Sequence, residues 1–183
     1  MMNTRNTIDR YGSISIALHW VMLLLIAAVY SCMELRDIFP KGSDPRLAMS
    51  TWHFMLGLSV MVLVLLRLIH KMTSVTPRIF PDPPKWQKRS AKFMHFALYA
   101  LMIGLPILGW LLLSAKGKQI PFFGLNMPSL IAENKDLAKT IKYIHETGAT
   151  LGYYLIGAHA AVALFHHYVL RDNTINRILP VRK

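Results

Sequence analysis

Eight histidines give the strongest chemical signal in this chain of 183 residues. Five of them lie in or beside long apolar stretches: His19, His53, His95, His145 and His159. An ionisable side chain in such a stretch is costly to bury and usually has a specific partner. An imidazole can donate or accept a hydrogen bond, carry a proton or ligate a metal ion. These five residues are therefore the first candidates for a functional site.

Four of the histidines form two pairs by their spacing. His145 and His159 are 14 residues apart. On one α-helix this separation corresponds to about 21 Å along the axis and only about 40° around it, so both side chains share a face near opposite ends of an apolar span. In their own spans, His19 lies at the depth of His159, and His53 lies at the depth of His145. We predict that the members of each pair face each other.

Two imidazoles that face each other across a gap suit the two axial positions of a haem iron. A zinc site would need a tight tetrahedral cluster, and no such group is evident in the apolar spans. A di-iron carboxylate site would need Glu-x-x-His motifs, and the only glutamates are Glu34, Glu133 and Glu146. Cys32 is the only cysteine, which excludes covalent haem attachment and Cys-ligated iron–sulfur clusters.

We therefore predict that His19, His53, His145 and His159 are the axial ligands of two haems, stacked one above the other through the membrane. The alternative for any single position is a histidine that is hydrogen-bonded within the core, which is a common finding. Two matched pairs, about 21 Å apart along the helix axis, are harder to explain in that way.

Small residues beside the histidines favour a flat, bulky group. Gly148 and Gly152 lie on the face of the last apolar span that carries its two histidines, and Gly57 follows His53 by about one turn. A helix that presents glycine leaves space on that side. We predict that Gly57, Gly148 and Gly152 line the cofactors.

Arg67 and His95 are further candidates for cofactor contacts. Arg67 follows His53 by 14 residues, which places it on the same helix face at the level of the inner pair. Its guanidinium either pairs bidentately with a haem propionate or extends to the inner interface of the membrane. His95 shares that level, where it either replaces a ligand or hydrogen-bonds a propionate or a quinone.

The elements that hold these residues are apolar spans without charge. The chain is 54% apolar and only 16% charged, well below the roughly 25% of a soluble domain, which argues against a water-soluble enzyme. Four stretches contain no Asp, Glu, Lys or Arg, and each is long enough to cross a bilayer core of about 30 Å. They run from Tyr11 to Met33, from Leu47 to Leu66, from Phe93 to Ala115 and from Thr147 to Leu170.

We predict one all-α membrane domain over residues 1–183. It is a bundle of four transmembrane helices at about 11–33, 47–69, 93–115 and 138–170. Prolines end the second helix before residue 77 and end the third before residue 121, because proline cannot continue a helix.

Loop charge predicts the orientation of these helices. The formal net charge is +12. With both termini in the cytoplasm, the inner side carries 13 Lys and Arg residues, among them Arg182 and Lys183, and the outer side carries 8. The excess favours this orientation. Because the basic residues lie between apolar spans rather than along one polar face, we expect membrane lipid and not nucleic acid as the partner.

Several segments resemble the bacterial cytochrome b561 family, and the resemblance covers nearly the whole chain. The segments are Ser15-Ile16-Ala17-Leu18-His19-Trp20, His53 to Gly57, Arg67, His95 with Leu98-Tyr99, Pro106 before Gly109-Trp110, and His145 through His159 to Tyr168 followed by Arg171-Asp172-Asn173-Thr174. The resemblance extends to the superoxide:ubiquinone oxidoreductase type. The outer stretches shared with that type are Met33-Glu34-Leu35-Arg36 before Phe39-Pro40, and Ala132-Glu133-Asn134.

The resemblance implies that His19 and His159 ligate the inner b haem and that His53 and His145 ligate the outer one. It also implies a protein of the bacterial inner membrane, with two haem b groups as cofactors and ubiquinone as a substrate. Phe54 departs from the family pattern, in which a Lys often follows the second-helix His, so an ion pair to a propionate is not expected there.

The resemblance leaves two activities open. The first is oxidation of superoxide outside the membrane, coupled to reduction of ubiquinone. Lys116 and Lys118 then either attract the anion or are simply solvated loop residues. Arg10, Arg171 and Asp172 then either flank the quinone or bind lipid headgroups.

The second activity is that of a non-catalytic electron-transfer subunit for a partner dehydrogenase or hydrogenase, since the fold alone does not determine the activity. No protein partner is identified by the sequence. A transporter is disfavoured, because no pair of interrupted helices recurs in two halves of the chain.

Overall fold

The computed structural model describes residues 4–180 and is mostly helical. Its four long helices, followed by a π-helical segment, are α1 (Ser13–Arg36), α2 (Asp44–Met72), α3 (Lys85–Ala115), α4 (Lys135–Phe165) and the segment His166–Leu170. All four helices are long and apolar enough to cross a membrane. This confirms the prediction of four candidate membrane-spanning helices. Arg182 and Lys183, which contributed to the loop-charge count, lie outside the described residues.

The outward faces of these helices are apolar, as a membrane environment requires. Leu24 on α1, Phe96 on α3 and Tyr154 on α4 have exposed fractions of 69%, 69% and 73%. In water, such a surface would be an aggregation liability. In a bilayer the same side chains contact lipid, and the helical backbone satisfies its own polar groups.

Helix α3 begins at Lys85, several residues before the predicted start at 93. Two prolines precede it, and a proline is well tolerated at the very start of a helix, where its missing N–H has no intrahelical partner. The Lys88 N–H donates to the Pro84 carbonyl oxygen at 3.2 Å, which closes the first turn. The basic residues from 85 to 92, expected in a loop, are therefore helical.

Helix α4 begins at Lys135 because Asn134 caps it. The Asn134 oxygen Oδ1 accepts hydrogen bonds from the backbone N–H groups of Asp136 and Leu137, at 3.1 and 3.0 Å. A side-chain oxygen at this position satisfies N–H groups that have no partner within the helix. The Asn134 N–H in turn donates to the Ala115 carbonyl oxygen at 2.9 Å, which joins the start of α4 to the end of α3.

A short β-hairpin lies between α3 and α4, where the sequence predicted only the end of a helix. Strands β1 (Ile120–Phe122) and β2 (Leu125–Met127) pair antiparallel. Phe123 and Gly124 form the turn with φ angles of 47° and 86°. Two consecutive positive φ angles are typical of the two-residue turns that match the twist of a hairpin. Ile120 is buried at the base of the hairpin.

The chain divides into two compact units. The first unit contains Met1–Val21, Leu65–Ala100 and Leu151–Lys183, and the second unit contains Met22–Val64 and Leu101–Thr150. Each unit includes part of every long helix. Of the five candidate histidines, His19, His95 and His159 lie in the first unit together with Arg67, and His53 and His145 lie in the second unit.

In the first unit, segments outside the helices are joined by hydrogen bonds. Asn6 Nδ2 donates to the Val75 carbonyl oxygen at 2.9 Å. The Arg78 N–H donates to the Ile8 carbonyl oxygen at 2.7 Å. The N-terminal segment is therefore held against the loop that follows α2.

Arg177 is the buried member of this network. It is 7% exposed, its Nη1 donates to the Pro77 carbonyl oxygen, and its guanidinium lies 5.7 Å from the centre of the Tyr11 ring. Burial lowers the pKa of Arg177, while Tyr11 and Asp172 act in the opposite direction. The C-terminal segment is thus fixed to both the loop and the N-terminal segment through one side chain.

We predict that Arg177→Ala lowers the thermal unfolding midpoint of the detergent-solubilised protein by several degrees. The substitution leaves the Pro77 carbonyl without its donor, at a cost of about 1–3 kcal/mol. Circular dichroism during heating measures the change. Arg78→Ala is the matched control, since the Arg78 side chain is exposed and its loss should cost less than about 0.5 kcal/mol. Equal midpoints for the two variants would contradict the role given to Arg177.

Candidate functional site

In the second unit, the rings of His53 on α2 and His145 on α4 are neighbours. Their centres are 6.2 Å apart and their planes are inclined by 79°. His53 Nδ1 lies 3.1 Å from the carbonyl oxygen of Val29 on α1. His145 Nδ1 lies 3.1 Å from the carbonyl oxygen of Leu105 on α3. Each of the four helices thus contributes one group to this arrangement.

These two hydrogen bonds determine where each imidazole carries its proton. A carbonyl oxygen only accepts, so the Nδ1 atoms of His53 and His145 are the donors, and each Nε2 keeps a free lone pair. Metal-ligating histidines adopt this tautomer, with the second ring nitrogen bonded to a carbonyl or carboxylate oxygen. Both imidazoles are therefore in the form that ligates a metal through Nε2.

The separation of the two rings fits one metal ion between them. Metal–imidazole bonds are about 2 Å long. The distance of 6.2 Å between the ring centres has room for two such bonds in line, plus the distance in each ring from its centre to its nitrogen. Across residues 4–180, no group of three or more His, Cys, Asp or Glu side chains could hold a metal ion. Two imidazoles, with the other ligands supplied by a porphyrin, are a donor set that suits haem.

The glycines around this pair have different surroundings. A Cβ atom at Gly57 would have no other atom within 4 Å, so this position leaves open space beside α2. A Cβ at Gly109, which was not among the predicted residues, would lie 3.5 Å from His145 Cε1. A Cβ at Gly148 would lie 2.9 Å from Leu105 Cδ2. Gly148 therefore lies close to the Leu105 side chain of α3.

In the first unit, the candidate residues form two contacts. Arg67 Nη2 donates to His19 Nδ1 at 3.0 Å. The rings of His95 and His159 have their centres 5.6 Å apart. His159 therefore makes its ring contact with His95, whereas His19, its predicted partner, is hydrogen-bonded to Arg67. Gly152 is buried on α4 in the same unit.

Two cations lie near the face of the Tyr99 ring. The Arg67 guanidinium is 5.9 Å from the ring centre, and Lys71 Nζ is 5.0 Å from it. Both distances are within the range of cation–π attraction. Arg67 thus contacts both Tyr99 and His19.

The residues predicted for the quinone side lie in the terminal segments of the first unit. Arg10 Nη2 donates to the Leu179 carbonyl oxygen. Arg171 is exposed and has a φ of 55°. Asp172 is 7% exposed, and its Oδ2 lies 2.6 Å from His166 Nδ1. His166 was not among the predicted site residues, because its partner Asp172 lies six residues away, which is not a helical neighbour position.

Asp172 is held in its charged form. Burial by itself would raise the pKa of Asp172, but hydrogen bonds from His166 and Thr174 outweigh burial and lower it. A carboxyl group with a lowered pKa contributes stability that is present at neutral pH and is lost as the pH falls through the lowered value. The C-terminal segment therefore depends on an ionised Asp172.

Lys116 and Lys118, predicted to attract superoxide, follow the end of α3 in the second unit. Both are exposed. Partial burial, followed by the charges of Lys118 and Lys142, lowers the pKa of Lys116, whereas Glu146 raises it. Lys142 Nζ lies 3.3 Å from Glu146 Oε1. Positive charge is thus concentrated around Lys116 and only partly neutralised.

Comparisons with known proteins identify the family. Residues 10–181 match the family model described as prokaryotic cytochrome b561. The chain is 45% identical over 175 residues to cytochrome b561 homolog 1 of Escherichia coli (strain K12), covering 96% of this chain and 99% of the relative. It is 38% identical over 174 residues to probable superoxide oxidase CybB of Yersinia pestis, covering 95% and 98%. It is 28% identical over 185 residues to cytochrome b561 homolog 2 of Escherichia coli (strain K12), covering 97% and 95%.

The match to the family model spans almost all of the chain, and the similarity to the relatives extends over nearly their full lengths. The resemblance seen in the sequence motifs is thereby confirmed. The chain belongs to the prokaryotic cytochrome b561 family, and it is a multi-pass protein of the bacterial inner membrane that binds haem b and transfers electrons.

Proposed function

We propose that this protein oxidises superoxide at the outer face of the inner membrane and reduces ubiquinone, using two b-type haems. The observation that carries the proposal is the His53–His145 pair, whose Nε2 atoms are free to ligate, in the unit that also contains Lys116 and Lys118. The printed name of the Yersinia pestis relative, probable superoxide oxidase, supports the same activity.

The proposed reaction joins two one-electron donors to one two-electron acceptor. Each of two superoxide anions loses one electron and becomes dioxygen. One ubiquinone takes up these two electrons together with two protons and becomes ubiquinol. No other oxidant or reductant is needed for the balance.

The protein's own residues hold and orient the cofactors. Bound haem would supply a one-electron redox centre in each unit. In the second unit, two backbone carbonyls keep the protons of His53 and His145 on Nδ1, so that both Nε2 atoms would be free to hold a haem iron. In the first unit we assign the same role to His19 and His159. Gly57 provides space beside the pair in the second unit.

In this proposal, Arg67 donates to a group other than His19 Nδ1. Ligation by His19 through Nε2 requires the proton on Nδ1, so Arg67 must then donate elsewhere than to His19. A haem propionate is the acceptor we assign, because a guanidinium binds a carboxylate bidentately. His95, whose ring lies against His159, borders the same position.

Since we assign two histidines to each haem iron, we assign the attraction of superoxide to protein side chains. Lys116 and Lys118 supply positive charge for this purpose, and a concentration of like charge raises both the local concentration and the arrival rate of an anion. The excess of loop charge supports an orientation with these lysines outside and both termini in the cytoplasm.

We place the ubiquinone beside the terminal segments of the first unit. Arg10 and Arg171 supply positively charged donors there. Asp172 accepts from His166 Nδ1, and this bond holds a proton in a largely buried position. Reduction of a quinone to a quinol requires two protons, so a protected proton position beside the site suits the reaction.

We predict that His53→Ala and His145→Ala each reduce the haem content from two to one per chain, because each removes an axial ligand. The pyridine haemochrome assay, combined with protein quantification, measures the ratio. His70→Ala is the control, since His70 bonds to Ser15 and lies outside the proposed ligand set. Full haem content in both ligand variants would refute the assignment of the pair.

We predict that Lys116→Glu with Lys118→Glu slows reduction of the purified protein by superoxide several-fold at low ionic strength and flattens the dependence on salt. Stopped-flow absorbance of the haem bands measures the rate. The Lys116→Arg, Lys118→Arg double variant keeps the charge and should keep the salt dependence. An unchanged salt profile in the glutamate variant would leave the two lysines without a role in attraction.

The activity itself is tested with the purified protein alone. We expect superoxide to reduce it without any other protein, and added ubiquinone to reoxidise it. Reduction that occurs only when a partner dehydrogenase or hydrogenase is added would overturn the proposal in favour of an electron-transfer subunit.

A further inference from the structure

The first two turns of α3 carry a basic face, formed by Lys85, Lys88, Arg89 and Lys92, which we call the α3 basic face. At 3.6 residues per turn, these positions fall within a sector of about 100° and rise by about 10 Å along the helix axis. All four side chains are exposed. The face exists because the helix starts at Lys85, since the same residues in a loop would have no common direction.

Most of the cations on the α3 basic face have no carboxylate as an ion-pair partner. Lys88 forms an ion pair with Asp82 at 2.7 Å. The ion pairs found across residues 4–180 include none to Lys85, Arg89 or Lys92. Helix α3 itself contains no Asp or Glu. Three cations therefore remain to attract an anion from outside the chain.

The start of α4 provides a contrast within the same protein. It also carries three lysines, at 135, 139 and 142. Lys139 pairs with Asp136 at 2.9 Å, and Lys142 pairs with Glu146 at 3.3 Å. Two of its three cations are therefore partly neutralised on the helix itself. Of these two helix starts, only that of α3 carries a basic face without matching carboxylates.

Exposed aromatic side chains lie beside the α3 basic face, at Trp86, and follow it into the apolar span, at Phe93 and Phe96. Trp86, Phe93 and Phe96 have exposed fractions of 66%, 71% and 69%. Tryptophan is enriched at membrane–water interfaces, where its ring contacts acyl chains and its N–H reaches polar groups. The lipid-facing surface of α3 therefore runs directly into the basic face, which places that face at the level of the headgroups.

We infer that the α3 basic face binds the phosphate groups of anionic phospholipids, such as phosphatidylglycerol. Lys and Arg form charge-assisted hydrogen bonds with phosphate oxygens. Each basic residue near an anionic membrane surface contributes roughly fivefold to binding. Free phosphate or a nucleic acid would meet the same cations but would leave Trp86 and Phe93 against water. A lipid satisfies the cations and the aromatic rings together.

The test measures binding of phosphatidylglycerol to the whole haem-loaded protein in neutral detergent by native mass spectrometry, with phosphatidylcholine as the uncharged probe. The variant Lys85→Gln, Arg89→Gln, Lys92→Gln should raise the dissociation constant of the tightest phosphatidylglycerol at least tenfold, since three charges of roughly fivefold each are removed. Phosphatidylcholine binding should stay unchanged.

Two controls separate a lipid site from a general effect of charge. The variant Lys135→Gln, Lys139→Gln, Lys142→Gln removes the same number of cations from α4 and should change the dissociation constant less than twofold. Lys85→Arg with Lys92→Arg keeps the charge and should keep the affinity. If the triple variant of α3 loses helicity, the single variant Arg89→Gln replaces it, with an expected loss of roughly fivefold. Unchanged affinity in the α3 variants, or equal losses in the α3 and α4 triple variants, would overturn the inference.

Discussion

The candidate site depends on the hydrogen bonds from His53 and His145 to the backbone carbonyls of Val29 and Leu105. A polar ring in an apolar span needs a partner within the protein, because lipid offers none. By donating Nδ1–H to a carbonyl, each imidazole is stabilised and at the same time keeps Nε2 available as a ligand. One hydrogen bond therefore gives the ring a polar partner inside the protein and leaves Nε2 available as a ligand.

This constraint also explains why four helices are needed for one pair of histidines. Two helices carry the imidazoles, and the other two supply the carbonyl acceptors. Gly148 allows α4 to approach Leu105, because a Cβ at Gly148 would lie 2.9 Å from Leu105 Cδ2. Leu105 is the same residue whose carbonyl accepts from His145. Close packing of α3 on α4 and the tautomer of His145 are therefore linked through a single residue.

The parts of the fold and site that could be predicted are those with a signature in side-chain type and spacing. Four charge-free stretches predicted four helices, and the spacing of His145 and His159 predicted a shared face. Because helix ends were predicted from the absence of charged residues, Lys85 was predicted to lie in a loop. A proline such as Pro84 can precede the first turn of a helix, and charge does not indicate this. The carbonyl acceptor of His145 could not be predicted, since every residue carries a carbonyl. The contact of His159 with His95 depends on packing between helices, which spacing along one helix does not describe.

Under the proposed function, the histidine pairs alone would not select the electron donor, because any family member that keeps them would bind the same cofactor. Selection would then come from groups around the pair, and Lys116 is a residue to which we assign it. Its pKa is lowered by partial burial and by the charges of Lys118 and Lys142, while Glu146 compensates in part. Such crowding of positive charge is unfavourable until an anion approaches. An anionic donor such as superoxide relieves the repulsion, whereas a neutral donor of the same size does not. Burial is the largest cause of the lowered pKa of Lys116, and the neighbouring lysines that add to it would also favour an anion beside Lys116.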